Sequence, residues 1–237
     1  MSDSFELFPE DWERALAIVA HPDDMEYGAA SAVARWTAQD KTIAYLLVTR
    51  GEAGISSMKP AEVGPIRERE QRASCAEVGV DDVRFLSYPD GLIPEGIELR
   101  RDLAAAIREH RPELLLGINH RDSWGGPSWN HVDHRVVGRA LLDAARDAAN
   151  PWIFPECGEP WTGVRLAAFS GSPEGTHAVD ITDYLDAGIA SLRCHKTYLS
   201  NLGGDMADST AFLTDSALRE GPLLGVQAAT SFEVVYL

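Results

Sequence analysis

The stretch "ALAIVAHPDDMEYGAA", Ala15 to Ala30, opens with six apolar residues and runs straight into a histidine, a proline, two aspartates and, after one methionine, a glutamate. A short continuous apolar run that ends in turn-forming residues is the pattern of a strand buried on both faces. A helical pattern follows from about Met25 to Gln39, so the stretch reads as strand, loop and helix. Folding alone gives no reason to put so many titratable groups where a buried strand ends, and this marks the loop as a place for chemistry.

The same alternation continues downstream. "TIAYLLVT" (42–49), "VRFL" (83–86) and "ELLLGIN" (113–119) read as strands, separated by helices over about Ile66 to Val78 and Leu99 to His110 and followed by one over about Val132 to Ala149. Such repetition predicts an α/β fold, a Rossmann-like and mostly parallel sheet flanked by helices on both faces. The C-terminal portion is irregular: "RLAAFS", "THAVDI" and "SFEVVYL" read as short strands, "ITDYLDAGIASLRCHKTYL" as a helix, and "SNLGGDMADSTAFLTDSALREGP" is expected to be partly mobile. At 237 residues the chain is expected to form one domain, 1–237.

A formal net charge of -16 argues against nucleic acid and anionic membrane surfaces as partners. Three cysteines, Cys75, Cys157 and Cys194, cannot all pair and lack zinc-finger or redox spacing, which fits a reducing cytoplasm. The N-terminal residues show no export signal, and no run approaches the ~20 apolar residues of a membrane span.

In a doubly wound sheet, ligands collect at the carboxyl ends of the strands, so the loops after the strands are searched first. His21 with Asp23 and Asp24 offers nitrogen and oxygen donors of the kind Zn²⁺ prefers, and two adjacent carboxylates can serve as one ligand and one base. The competing reading is a helix cap, which needs only one aspartate and accounts for neither His21 nor Glu26. A catalytic zinc takes three protein ligands and keeps a position for water. The further donor comes from "NHVDHRVVGRALL", where His131 and His134 stand at i and i+3 on one helix face. Spacing leaves open which of the two binds metal and which is free.

"AHPDDMEYG" together with "HVDHRVVGRALLDAA" resembles the PIG-L or LmbE-like family of metal-dependent de-N-acetylases, and "LLVTRGEAG", "RERE", "FLSYPDG", "IREHRPELLL" and "THAVDIT" extend the resemblance over most of the chain. Val132 departs from the family's frequent proline at a position with no chemistry to do. The resemblance implies that His21, Asp24 and His134 hold Zn²⁺, that Asp23 is the general base, and that His131 assists the tetrahedral intermediate. It also implies a small-molecule substrate, an acetylated amino sugar of the N-acetylglucosamine type or its conjugate.

In this reading His131 works as an imidazolium that donates to the oxyanion, and Asp133 helps to keep it charged, with a helix cap as the competing role for Asp133. Arg50 and Glu52 in "TRGEAG" are expected beside the first loop, where the glycines let backbone approach a ligand and Arg50 either binds a substrate oxygen or pairs with Glu52 or Glu70. Arg67 lies near the sugar or pairs with Glu70 along its helix. Tyr88 and Asp90 in "YPDG" form a turn first and a wall of the site second. Trp124 and Trp129 flank "GGPS" and are expected either to pack on a sugar ring or to anchor the loop.

Two enzymatic readings share this centre: deacetylation of an amino sugar, and hydrolysis of another amide, such as a thiol conjugate or an antibiotic intermediate. A binding protein that holds metal without catalysis would need neither Asp23 nor His131. A nucleotide-binding module is disfavoured, because "HPDDMEYG" lacks the glycine pattern that cradles pyrophosphate. The exact substrate, the native metal and any homo-oligomer are left open by sequence.

Overall fold

Eight strands form one sheet in the order β1-β7-β8-β6-β5-β2-β3-β4 in the computed structural model, which describes residues 4–202 and 209–237. The strands are β1 (Glu6–Leu7), β2 (Arg14–Val19), β3 (Thr42–Leu47), β4 (Val83–Phe85), β5 (Leu114–Ile118), β6 (Leu166–Ser170), β7 (His177–Asp180) and β8 (Ala229–Tyr236). All pairings are parallel except those of β8, which runs antiparallel to both β6 and β7.

The apolar run of β2 is explained by its neighbours. Ala15, Ala17 and Val19 face one core with Val33 and Trp36, while Leu16, Ile18 and Ala20 face the other with Leu103 and Leu141. With helices on both faces there is no solvent side to make polar. The first core lies under α1 (Ala30–Thr37), α2 (Pro60–Glu77), α5 (Leu185–Arg193) and α7 (Ser209–Leu224). The second lies under α3 (Ile97–His110) and α4 (Val132–Ala149).

β2 pairs with β3 on one side and with β5 on the other, so the chain reverses its direction of winding between β2 and β5. Loops leaving neighbouring strands diverge there and open a crevice at their carboxyl ends. The loop after β2 carries His21–Asp24, and the loop after β5 leads through the N-cap His131 into α4, whose first turn carries His134.

Several boundaries differ from the sequence reading. α1 starts at Ala30 rather than Met25, because residues 21–29 form tight turns in which the Met25 carbonyl accepts from the amides of Gly28, Ala29 and Ala30. α2 starts at Pro60, six residues before the expected Ile66, and runs through Pro65, which lacks the N–H that would bond the Ala61 carbonyl and so forfeits one intrahelical bond. The helix expected over 181–199 breaks at Cys194–His195 into α5 and the short α6 (Lys196–Ser200). Of the segment expected to be mobile, residues 203–208 lie outside those described, whereas Ser209–Leu224 is helical. The two-residue β1 and a 3₁₀ turn at Pro155–Cys157 carry too little pattern to be read in advance.

Candidate active site

His21 follows β2 directly and is held by both ring nitrogens. Nδ1 stands 3.2 Å from His134 Nε2 and 3.5 Å from Asp24 Oδ1, and His134 Nε2 is 3.1 Å from the same Asp24 oxygen. Three donor atoms thus make a triangle with edges of 3.1 to 3.5 Å. Ligands at ~2.0–2.1 Å from a tetrahedral zinc stand ~3.3 Å apart, so the triangle fits one face of such an ion.

Each donor is turned to that point by bonds on its far side. Asp24 Oδ2 accepts the amides of Ala20 (3.0 Å) and His21 (2.9 Å), which leaves Oδ1 facing the histidines. His134 Nδ1 donates to Asn130 Oδ1 at 3.0 Å, which leaves the Nε2 lone pair free to bind. His21 Nε2 faces Asp90 Oδ1 at 3.1 Å and Asp133 Oδ2 at 3.2 Å, so its proton sits there and the Nδ1 lone pair faces the triangle. Carboxylate and carbonyl partners of this kind fix the tautomer of a metal-binding imidazole.

The electrostatics agree with a cation site. Burial opposes charge on His21, yet Asp24, Asp133 and Asp90 together push its pKa well above the ordinary range. Burial likewise works against ionised Asp24, and His134 and His21 outweigh it, holding that carboxyl far below its usual value. Two other groups of donors lie within 4.8 Å of one another, His21 with His131 and His134, and His21 with Asp90 and Asp133. His131, however, caps α4 and accepts the Asp133 amide at Nδ1 (3.2 Å), so that nitrogen is already occupied.

Asp23 is separate from this triangle. Its backbone takes φ 89°, its amide donates to Gln71 Oε1 (3.0 Å), and its Oδ1 accepts from Arg67 Nη2 (2.9 Å). Burial raises its pKa above the usual aspartate value, with Arg67 pulling the other way and Asp24 adding to the rise. Arg67 is itself 2% exposed, donates to the Pro22 and Gly51 carbonyls, and lies 3.9 Å from the Tyr198 ring centre.

Other residues named from sequence are placed differently from the expectation. Arg67 does not pair with Glu70, whose carboxylate instead accepts the amides of Thr197 (2.6 Å) and Tyr198 (3.5 Å) at the start of α6. Gly51 and Gly54 make room for the Arg67 guanidinium, into which a Cβ at either position would run. Arg50 pairs with Glu68 at 2.6 Å, not with Glu52 or Glu70, and Glu52 braces the loops by accepting the Arg50 and Asp90 amides. Tyr88 turns away and donates to Asp102 (2.9 Å). Asp90 faces His21 rather than forming only a turn. Asp133 meets His131 through its amide alone, while its carboxylate is taken by His21 and the amides of Gly91 and Ile93.

Trp124 lines a cavity of about 830 Å³ together with Asp23, His131 and Tyr198, and its ring lies 5.7 Å from that of His134. Trp129 does not line it; 68% exposed, it lies outside under Arg135. Sequence reasoning missed Asn130, Gln71 and Tyr198. The buried polar stripe Arg67, Gln71, Ser74, at spacings of four and three on α2, was the available signal for Gln71, since only an apolar stripe at that spacing is expected to face a core.

Residues 16–145 match the profile of the PIG-L family, described as GlcNAc-PI de-N-acetylase. The chain belongs to this family. It is 30% identical over 175 residues to a 1D-myo-inositol 2-acetamido-2-deoxy-alpha-D-glucopyranoside deacetylase of Streptomyces avermitilis, a match that covers 62% of this chain and 58% of that protein. A diacetylchitobiose deacetylase of Thermococcus kodakarensis is 26% identical over 192 residues, covering 79% of this chain and 70% of the relative. Among solved structures, the N,N'-diacetylchitobiose deacetylase from Pyrococcus horikoshii, complexed with its inhibitor, superposes with a TM-score of 0.85 over 95% of this chain and 85% of that one, at 24% identity, and so shares the PIG-L fold.

Proposed function

We propose that this PIG-L family member is a metal-dependent hydrolase that removes acetyl from an N-acetylglucosamine-type amino sugar or its conjugate. The observation that carries the reading is the meeting of His21 Nδ1, Asp24 Oδ1 and His134 Nε2 within 3.5 Å, beside a fourth group, Asp23, that stays outside the triangle. Donors of two nitrogens and one oxygen suit zinc. Bound there, the ion would polarise the amide carbonyl and bring the pKa of water down to ~7.

The chain's own groups then divide the remaining work. Asp23, raised by burial, accepts the proton of the attacking water and returns it to the departing amine nitrogen. His131 is read as neutral rather than as the expected imidazolium. Its Nδ1 accepts an amide hydrogen, which puts its own hydrogen on Nε2, free to donate to the oxyanion. Trp124 supplies an aromatic wall beside His134. The cavity continues past Phe212, Leu213 and Ala229, and at about 830 Å³ it is large enough for a sugar carrying a second moiety. Three cysteines without disulfide partners support a reducing compartment, the cytoplasm, as the place of action.

Acetate release from a panel of N-acetylglucosamine glycosides tests the reading. Release is expected with zinc present and is expected to stop with a chelator. Turnover that persists in the chelator, or none on any acetamido sugar, would overturn it.

A further inference from the structure

Asp23 carries a side chain on backbone at φ 89°, a region such residues rarely occupy, so something must hold it there. Arg67 grips its carboxylate, but the backbone is tied by a different residue: the Asp23 amide donates to Gln71 Oε1 at 3.0 Å. Gln71 is 1% exposed and lines no part of the cavity. Its amide has two possible orientations, and only one offers oxygen to Asp23. Glu26 decides between them. Its Oε1 accepts from Gln71 Nε2 at 2.7 Å, and a flipped amide would set oxygen against that carboxylate and NH₂ against the Asp23 N–H.

Glu26 is in turn fixed from behind. Ser74 Oγ donates to the same Oε1 at 2.7 Å, Ser191 bonds Ser74, and Oε2 faces the fully buried His195 Nε2 at 3.8 Å. Both Glu26 oxygens therefore look toward α2 and His195, away from the triangle of donors.

We propose that Glu26 and Gln71 are positioning residues that act in series. Glu26 sets the orientation of the Gln71 amide, and Gln71 sets the backbone, and hence the carboxylate direction, of Asp23. The inference rests on Asp23 being the base. Gln71 lies outside the cavity, and Glu26 forms part of its wall with Oε1 engaged by Gln71 and Ser74 and Oε2 facing His195.

The test uses the zinc-loaded enzyme and four substitutions. Gln71→Leu and Glu26→Leu are expected to lower kcat by about 10- to 100-fold, the effect of a misplaced group, with KM within about twofold and zinc content unchanged. Glu26→Gln keeps an acceptor for Gln71 and Ser74 and is expected to retain activity within about threefold. Introduced into Asp23→Ala, Gln71→Leu is expected to cost nothing further, because the residue it serves is gone. Amide exchange of Asp23, followed by NMR, is expected to be slow in the native protein and fast in Gln71→Leu, and this readout needs neither substrate nor a fully stable Glu26→Leu.

Full activity of Gln71→Leu, an equal further loss in the Asp23→Ala background, or a protected Asp23 amide without Gln71 would overturn the positioning role. Undiminished turnover in Asp23→Ala would instead overturn the assignment of the base.

Discussion

Two adjacent aspartates differ in what their residue-scale surroundings allow. Asp24 spends one oxygen on two backbone amides and points the other at two imidazoles, whereas Asp23 spends one on Arg67 and is otherwise enclosed. Substituting Asp23→Asn is therefore expected to leave zinc bound while lowering turnover by about 10²- to 10⁴-fold, the usual share of a general base. His134→Ala is expected to lose the metal. Metal analysis of both purified variants checks this, and an empty Asp23→Asn with a loaded His134→Ala would reverse the roles. Titration separates the two readings of His131. Burial, with the charges of His21 and His134, lowers its pKa below the ordinary histidine value, and a neutral donor works on the alkaline side of that pKa. Asp23 must be ionised, and its pKa is raised, so kcat/KM is expected to climb with pH along an acid limb displaced upward from that of an ordinary aspartate and then to stay level on the alkaline side. A fall through neutrality that His131→Gln abolishes would show an imidazolium at work instead.

At the scale of elements, the site is built from two strand ends, the first turn of α4, and α2, which turns polar residues inward. The loop between β5 and α4 folds on itself through a bridge between Ser123 and Trp129 and a hydrogen bond from the Trp124 amide to the Ser128 carbonyl (2.8 Å), which sends the two tryptophans to opposite sides. Only Trp124 reaches the cavity. Trp124→Ala is expected to change relative kcat/KM across a panel of acetylated amino sugars, and Trp129→Ala to leave the ranking as it was. The same ranking in both variants would remove Trp124 from the recognition of substrate. The sequence reading treated the pair as equivalent because both flank "GGPS". A two-stranded turn separates them, and its register is not legible from composition.

For the whole molecule, the concentration of negative charge matters. Asp24, Asp90 and Asp133 all face His21 in a buried crevice, within a chain of net charge -16. An ion bound only by the folded state stabilises it by about 2.7 kcal/mol at a hundred times its Kd. Removing it with a chelator is expected to lower Tm by ~5–10 °C, and readdition of zinc to restore it. Calorimetry with and without chelator measures the shift. An unchanged Tm would mean that the triangle does not hold a metal that matters to folding. Among the described residues no helix is long and apolar enough to cross a membrane.

What the sequence determined by itself was local. Alternating apolar runs and helical periods were sufficient for the sheet and for helices on both faces, because burial on two sides leaves a pattern in every strand. The "HPDD" and "HVDH" motifs marked the candidate donors because their residue types are costly to place at buried strand ends without use, while the choice of Asp24 over Asp23 and of His134 over His131 came only from the family resemblance. Tertiary structure alone decided the partners. It directed Arg67 to Asp23 instead of Glu70, the Asp133 carboxylate to His21 instead of into contact with His131, and Tyr88 to Asp102, away from the cavity. Each choice is between groups far apart in the chain, and the reversal of winding between β2 and β5 brings the two donor-bearing segments together. Spacing along a sequence records which residues share a face, and only packing records what that face meets.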